Sequence, residues 1–154
     1  FGMNIYNSFS LDEAENLGAK DCLLSCELSA SEISRLRGDI PRGVMLYGRI
    51  PLMMTRNCPV KNKLSCAECG SKSFLVDRMD TQFPVLCKNG VSFILNSRVL
   101  WFGDKKGEFR NTDFGLLYFT NESREECKNV ISAFEKAAQP PEEFTRGLYF
   151  RKVL

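Results

Sequence analysis

Four cysteines, Cys58, Cys66, Cys69 and Cys87, follow the spacing C-x7-C-x2-C-x17-C. A chain that gathers all four on one ion has to fold back on itself between them. Two residues between thiolates let both sulfurs face one ion while the backbone wraps around it, and Gly70, directly after Cys69, can supply the positive φ such a knuckle often uses. Pro59 fixes the direction of the chain after Cys58, and Cys87 is expected on a strand. Four thiolates at these separations suit tetrahedral zinc or a [4Fe–4S] cluster, and the spacing does not choose between them. The competing reading is core packing, since cysteine is among the most buried residue types. Cys66 and Cys69 lie in a polar stretch, which favours ligation, whereas Cys58 and Cys87 adjoin apolar runs.

The other three cysteines read as core residues. Cys22 and Cys26 are four apart on an expected strand and share a face with Leu24, and Cys127 falls on the apolar face of an expected helix. Seven cysteines leave at least one unpaired in any disulfide scheme, and in a reducing compartment clustered cysteines serve more often as ligands than as bridges. Histidine is absent, so this chain alone supplies no Ser-His-Asp or Cys-His pair, no HExxH zinc site and no histidine base. Any metal has to be held by cysteine or carboxylate.

The charge is balanced, 21 Lys and Arg against 19 Asp and Glu, and bulk charge gives no argument for nucleic acid. No apolar run approaches the roughly 20 residues of a membrane-spanning helix, and the start of the chain lacks the pattern of a signal peptide; a cytoplasmic protein with no membrane partner is expected. The chain opens on Phe1-Gly2 and runs at once into an apolar stretch, as a piece of something longer would.

Two strand–helix units come first. Residues 3–6 read as a short strand, followed by Ser10-Leu11-Asp12-Glu13 with capping-box spacing and a helix to about Gly18. Asp21 to Cys26 is a second strand, and Ser29-x-x-Glu32 caps a second helix that carries Ile33 and Leu36 inward and ends at Gly38. Gly43 to Arg49 is a third strand. Consecutive units of this kind indicate a parallel α/β sheet. From there the texture changes to short apolar runs, 73–77, 83–87, 91–95 and 98–102, divided by turns such as Lys88-Asn89-Gly90, the pattern of an antiparallel module. Another strand over 114–119 precedes an amphipathic helix capped by Asn121, with Cys127, Val130, Ile131, Phe134 and Ala138 on one face, and Pro140-Pro141 stops it. The fold expected is α/β: βα units of an incomplete barrel-like sheet over 1–56, a cysteine-bearing antiparallel β module over 57–113, and a strand, a C-terminal amphipathic helix and a tail over 114–154 packing back on the α/β part.

Taken in order, Asn4-Ile5-Tyr6-Asn7-Ser8, Leu24-Ser25-Cys26-Glu27-Leu28-Ser29, Gly48-Arg49-Ile50-Pro51-Leu52-Met53, Arg56-Asn57-Cys58-Pro59-Val60, Leu75-Val76-Asp77-Arg78-Met79 and Phe83-Pro84-Val85 resemble the U32 (collagenase-like) peptidases. Phe119-Thr120-Asn121-Glu122 and Phe144-Thr145-Arg146-Gly147 are similar to that family too, so the resemblance spans nearly the whole chain. It implies the last strands of a barrel-like α/β domain with a cysteine-bearing extension. A complete (β/α)8 barrel takes about 250 residues, so the remainder of a full-length protein is an expected partner, and an exposed sheet edge makes a homodimer the other.

The resemblance implies proteolysis as the nominal activity. It also brings in relatives that carry a [4Fe–4S] cluster on cysteines and hydroxylate RNA bases or small molecules without oxygen; for them the ligand set here would be Cys58, Cys66, Cys69 and Cys87. The residues themselves give proteolysis no nucleophile. Glu27, at the end of a parallel strand, is the acid or base candidate, against its plainer reading as a polar residue before a helix. Arg49, Arg56 and Arg78 are candidates for binding an anionic substrate, peptide or RNA, against their reading as solvated strand-end charges. An all-cysteine zinc has no open position for water, so such a site would be a structural staple and the fragment alone would be inactive.

Overall fold

The computed structural model describes residues 3–61, 65–69 and 73–151, with the backbone alone for Cys66 and Ala67. It is an α/β structure with two sheets. The first is open and mixed: β1 (Cys22–Leu23), β2 (Arg42–Gly48), β7 (Val99–Trp101) and β9 (Phe144–Thr145) run in that order, and β8 (Phe114–Tyr118) also pairs with β2. Gly43 pairs with both Leu23 and Phe114, and Gly48 with both Leu100 and Tyr118, so β8 takes one side of β2 while β1 and β7 share the other. The β1–β2 and β2–β8 pairs are parallel, as βα units require, whereas β7 runs antiparallel to β2. The second sheet is wholly antiparallel, in the order β3 (Pro51–Thr55), β6 (Val91–Leu95), β5 (Gln82–Lys88), β4 (Ser73–Val76).

These pairings move the expected boundaries. Residues 51–55 pair with β6, so the antiparallel module begins at Pro51 rather than at 57. Its last strand ends at Leu95, because residues 99–101 return to the α/β sheet instead of extending the module to 113. The expected first strand shrinks to a single parallel bridge between Ile5 and Leu24, since Asn4 sits at φ +43° and turns the chain away.

Local capping sets the helices. Helix α1 (Ser8–Asn16) starts at Asn7, whose side chain accepts from the Ser10 amide while the Ser10 hydroxyl accepts from the Asn7 amide. Ser10 is therefore the third residue of the helix and not its cap. Ser29 and Glu32 do form the expected box, but on the single turn α2 (Ala30–Ile33), which ends short of Gly38. The last helix, α4 (Arg124–Glu135), is capped by Ser123 with Glu126 rather than by Asn121. Phe134 is buried and Val130 partly so, whereas Ile131 is exposed and Ala138 lies beyond the helix end.

One core gathers Ile5, Leu11, Leu24, Ile33, Val44, Met45, Leu100 and Phe102 with Cys22 among them and Cys26 packed against it. Phe102 meets Phe109 and Tyr149 edge-on, with ring centroids 4.8 and 4.9 Å apart. A second cluster, Tyr47, Trp101 and Phe134, seats α4 on the sheet with Val99, Leu117 and Phe119. The short β9 is tied down by Arg146, which meets both oxygens of Asp104 at 2.7 and 2.8 Å and donates to the Trp101 carbonyl. That pairing holds the Asp104 carboxyl below the usual carboxylate range. Among the described residues no helix is long and apolar enough to cross a membrane.

Candidate metal centre

The antiparallel sheet sets out the floor of the cysteine region. Because side chains alternate along a strand, the register puts Ser73, Val85, Cys87 and Ser92 on one face: Ser73 pairs with Val85, and Cys87 with Ser92. Ser73, Val85 and Ser92 are all buried. Each of the two buried serines meets a cysteine. The sulfur of Cys87 lies 3.3 Å from the Ser92 hydroxyl, and that of Cys69 lies 2.6 Å from the Ser73 hydroxyl.

Cys58 reaches the same face from the other end of the sheet. It follows β3, and Val60, two residues on, is buried, which holds the loop 56–61 against the strands. The Lys61 amide donates to the Cys58 carbonyl at 3.3 Å and closes the turn, and Cys58 lines one groove with Cys87 and Ser92. Hydrogen bonding, that of the Val60 amide foremost, lowers the Cys58 pKa below the ordinary thiol value. A lowered thiol pKa favours the thiolate, the form in which cysteine binds a metal.

The C-x2-C pair spans a helical turn, α3 (Cys66–Cys69). Ser65 and Glu68 cap it reciprocally: the Glu68 carboxylate accepts from the Ser65 amide at 3.0 Å and hydroxyl at 2.6 Å, and the Ser65 hydroxyl from the Glu68 amide at 3.4 Å. The Ser65 hydroxyl, with its amide, keeps the Glu68 carboxyl below the usual range. This S-x-x-E box escaped the sequence reading although the same signal was used at 10–13 and 29–32.

Of the four predicted ligands, then, Cys58 and Cys87 line one groove, and Cys69 is set at Ser73, which stands diagonally from Cys87 on one face of the sheet. Such diagonal neighbours are about 7–8 Å apart. No group of three or more Cys, Asp and Glu converges among the described residues, and the side chain of Cys66, like Gly70, lies outside them. The chemistry of the donor set fits a soft metal: thiol sulfurs with amide donors and no competing carboxylate in the groove above them.

The other candidates are dispersed. Glu27 is exposed just past β1 and borders a cavity of about 360 Å³ with Ser25 and Cys26. Arg49 donates to the carbonyls of Asn96 and Ser97, a strut between the two sheets, so its guanidinium is committed to structure on that side. Arg78 is exposed in the turn after β4. Arg56 alone of the three arginines borders the cysteine groove, together with Lys61 and Lys88, which sequence reading left out. Cys26 contacts the Met45 sulfur at 4.0 Å, and burial raises its pKa, as expected of a core thiol.

Fold and site together define a mixed α/β domain joined to an antiparallel, cysteine-bearing β module. Compared with family models, with curated proteins and with solved structures, the chain matches none of them.

Proposed function

We propose that residues 51–95 are a metal-binding module in which Cys58, Cys66, Cys69 and Cys87 hold a structural zinc, within a fragment of a U32-family protein. One observation carries the metal reading: Cys58 and Cys87, far apart in sequence, line one groove with Ser92 and no carboxylate, and hydrogen bonding from the Val60 amide favours the Cys58 thiolate. A zinc closed by four thiolates leaves no position for water, so its role is to clamp the 56–69 segment onto the sheet. Support for the family comes from the ordered run of segments from Asn4 to Gly147 and from the parallel pairing of the βα part. Within such a parent, proteolysis is the nominal activity, and Glu27 beside the cavity at β1 is the group available for proton transfer.

Metal analysis with a visible spectrum, on protein purified without oxygen, tests this. About one zinc per chain in colourless protein is expected, and it should be lost in both Cys66→Ser and Cys69→Ser. About four irons with broad visible absorbance would replace the staple by a cluster and move the parent to oxygen-independent redox chemistry on RNA or a small molecule. Wild-type protein free of metal would sink the ligand assignment.

A further inference from the structure

We infer that the groove over Cys58 and Cys87 binds a compact polyanion, a small ligand with adjacent phosphate groups. The groove encloses about 660 Å³ and is bordered by Arg56, Lys61 and Lys88, with the amide side chains of Asn57 and Asn89 between them and no carboxylate among the described residues. In a chain whose charges nearly cancel, this is a local excess of one sign. The cavity beside Arg49 shows the contrast: there Arg49 and Arg98 are interleaved with Asp80 and Glu143. The two side-chain ion pairs among the described residues, Lys105–Glu108 and Arg146–Asp104, involve none of the three cations.

The cations reach the groove from two segments: Arg56 and Lys61 from the loop after β3, and Lys88 from the end of β5. The β5–β6 turn supports access, since Asn89 and Gly90 take φ +51° and +75° and nothing stands within 4 Å of where a Cβ on Gly90 would be. A phosphate chain can therefore approach the turn backbone. Counter-charge for the metal does not exhaust these cations. Four thiolates on a divalent ion carry a net double negative charge, and three cations exceed it; this accounting rests on the proposed cysteine site. The lining also settles which polyanion fits. Its one large apolar residue is Val91, and no aromatic ring is available to stack on a base, so recognition is by charge and the ligand is a small polyphosphate rather than a nucleic-acid strand.

Titration calorimetry of the purified full chain with pyrophosphate, at about 50 and about 200 mM salt, tests the inference. Binding should weaken as salt rises, and the Arg56→Gln, Lys88→Gln double variant should lose about tenfold or more in affinity, with metal content and melting temperature unchanged. Lys20→Gln, on an exposed position outside the groove, should bind as the wild type does. No binding at low salt, or binding indifferent to the double variant, would overturn the site. A single-stranded oligonucleotide held more tightly than pyrophosphate by the same residues would overturn the ligand class. Metal analysis of the same sample separates the readings: metal-free protein that binds pyrophosphate keeps the groove and removes the cysteine site, and metal-loaded protein that ignores pyrophosphate does the reverse.

Discussion

Strands β2 and β3 are separated by two residues, Arg49 and Ile50, yet they live in different physical regimes. β2 has β8 along one side and β1 and β7 along the other, and every residue from Arg42 to Gly48 is buried except the half-buried Leu46. β3 has β6 as its strand neighbour, and Leu52, Met53 and Met54 are 53%, 58% and 69% exposed. In the α/β part, burial of apolar surface against helices α1 and α4 and against the Phe102–Phe109–Tyr149 ring cluster is sufficient cause for the fold. The antiparallel module buries little that is apolar, chiefly Val60, Val85 and Leu95, and places two serines beneath its cysteines. A sheet with so small a core needs another source of stability, and a metal clamp is the source its cysteines offer.

The largest effect expected separates the two regimes outright. Removing metal with a chelator should abolish amide-exchange protection across β3 to β6 while β2 keeps its protection, because apparent binding energies of structural zinc run to about 10–16 kcal/mol and none of that holds the α/β sheet. Uniform loss of protection across both sheets would show that the module and the sheet fold as one unit. A core truncation probes the other side of the contrast. Phe102 is fully buried, and Phe102→Ala should cost about 3–5 kcal/mol in a urea titration, with metal content retained as long as the variant is folded. A cost below about 1 kcal/mol would mean the ring cluster is not what stabilises that sheet.

How much of this was legible in the sequence follows the same division. Where a signal is local and periodic it could be read: Ser29-x-x-Glu32 caps a turn, 82–88 and 91–95 form a hairpin across Asn89-Gly90, and Phe134 faces inward. Boundaries set by pairing partners could not. Nothing within Pro51–Thr55 says that its partner is β6 and not a neighbour of β2, and nothing within Val99–Trp101 says that it returns to β2. Caps slipped by a few residues wherever two polar residues competed for the role, as Asn7 with Ser10 and Asn121 with Ser123. In the candidate site, the cysteines could be named from spacing because ligation demands a fixed residue type. The cations around them could not: Lys61 and Lys88 are ordinary surface lysines until the fold brings two distant segments to the rim of one groove.

The smallest effect is the one that sharpens the comparison most, because it asks what an apolar residue contributes when its strand lacks a cover. Met54 pairs with Phe93 on the face of β6 opposite Ser92, and that face is more open than the one carrying the cysteines. In a core, Met→Ala costs about 2–5 kcal/mol; here most of the side chain is already in water, so Met54→Ala should change stability by less than about 0.5 kcal/mol and leave metal content as it was. Met45→Ala, at a fully buried position of β2, is the matched control and should fall in the core range. If the two substitutions cost the same, the open face of the antiparallel sheet is covered in solution, and the stability of the module comes from that covering surface as well as from its cysteines.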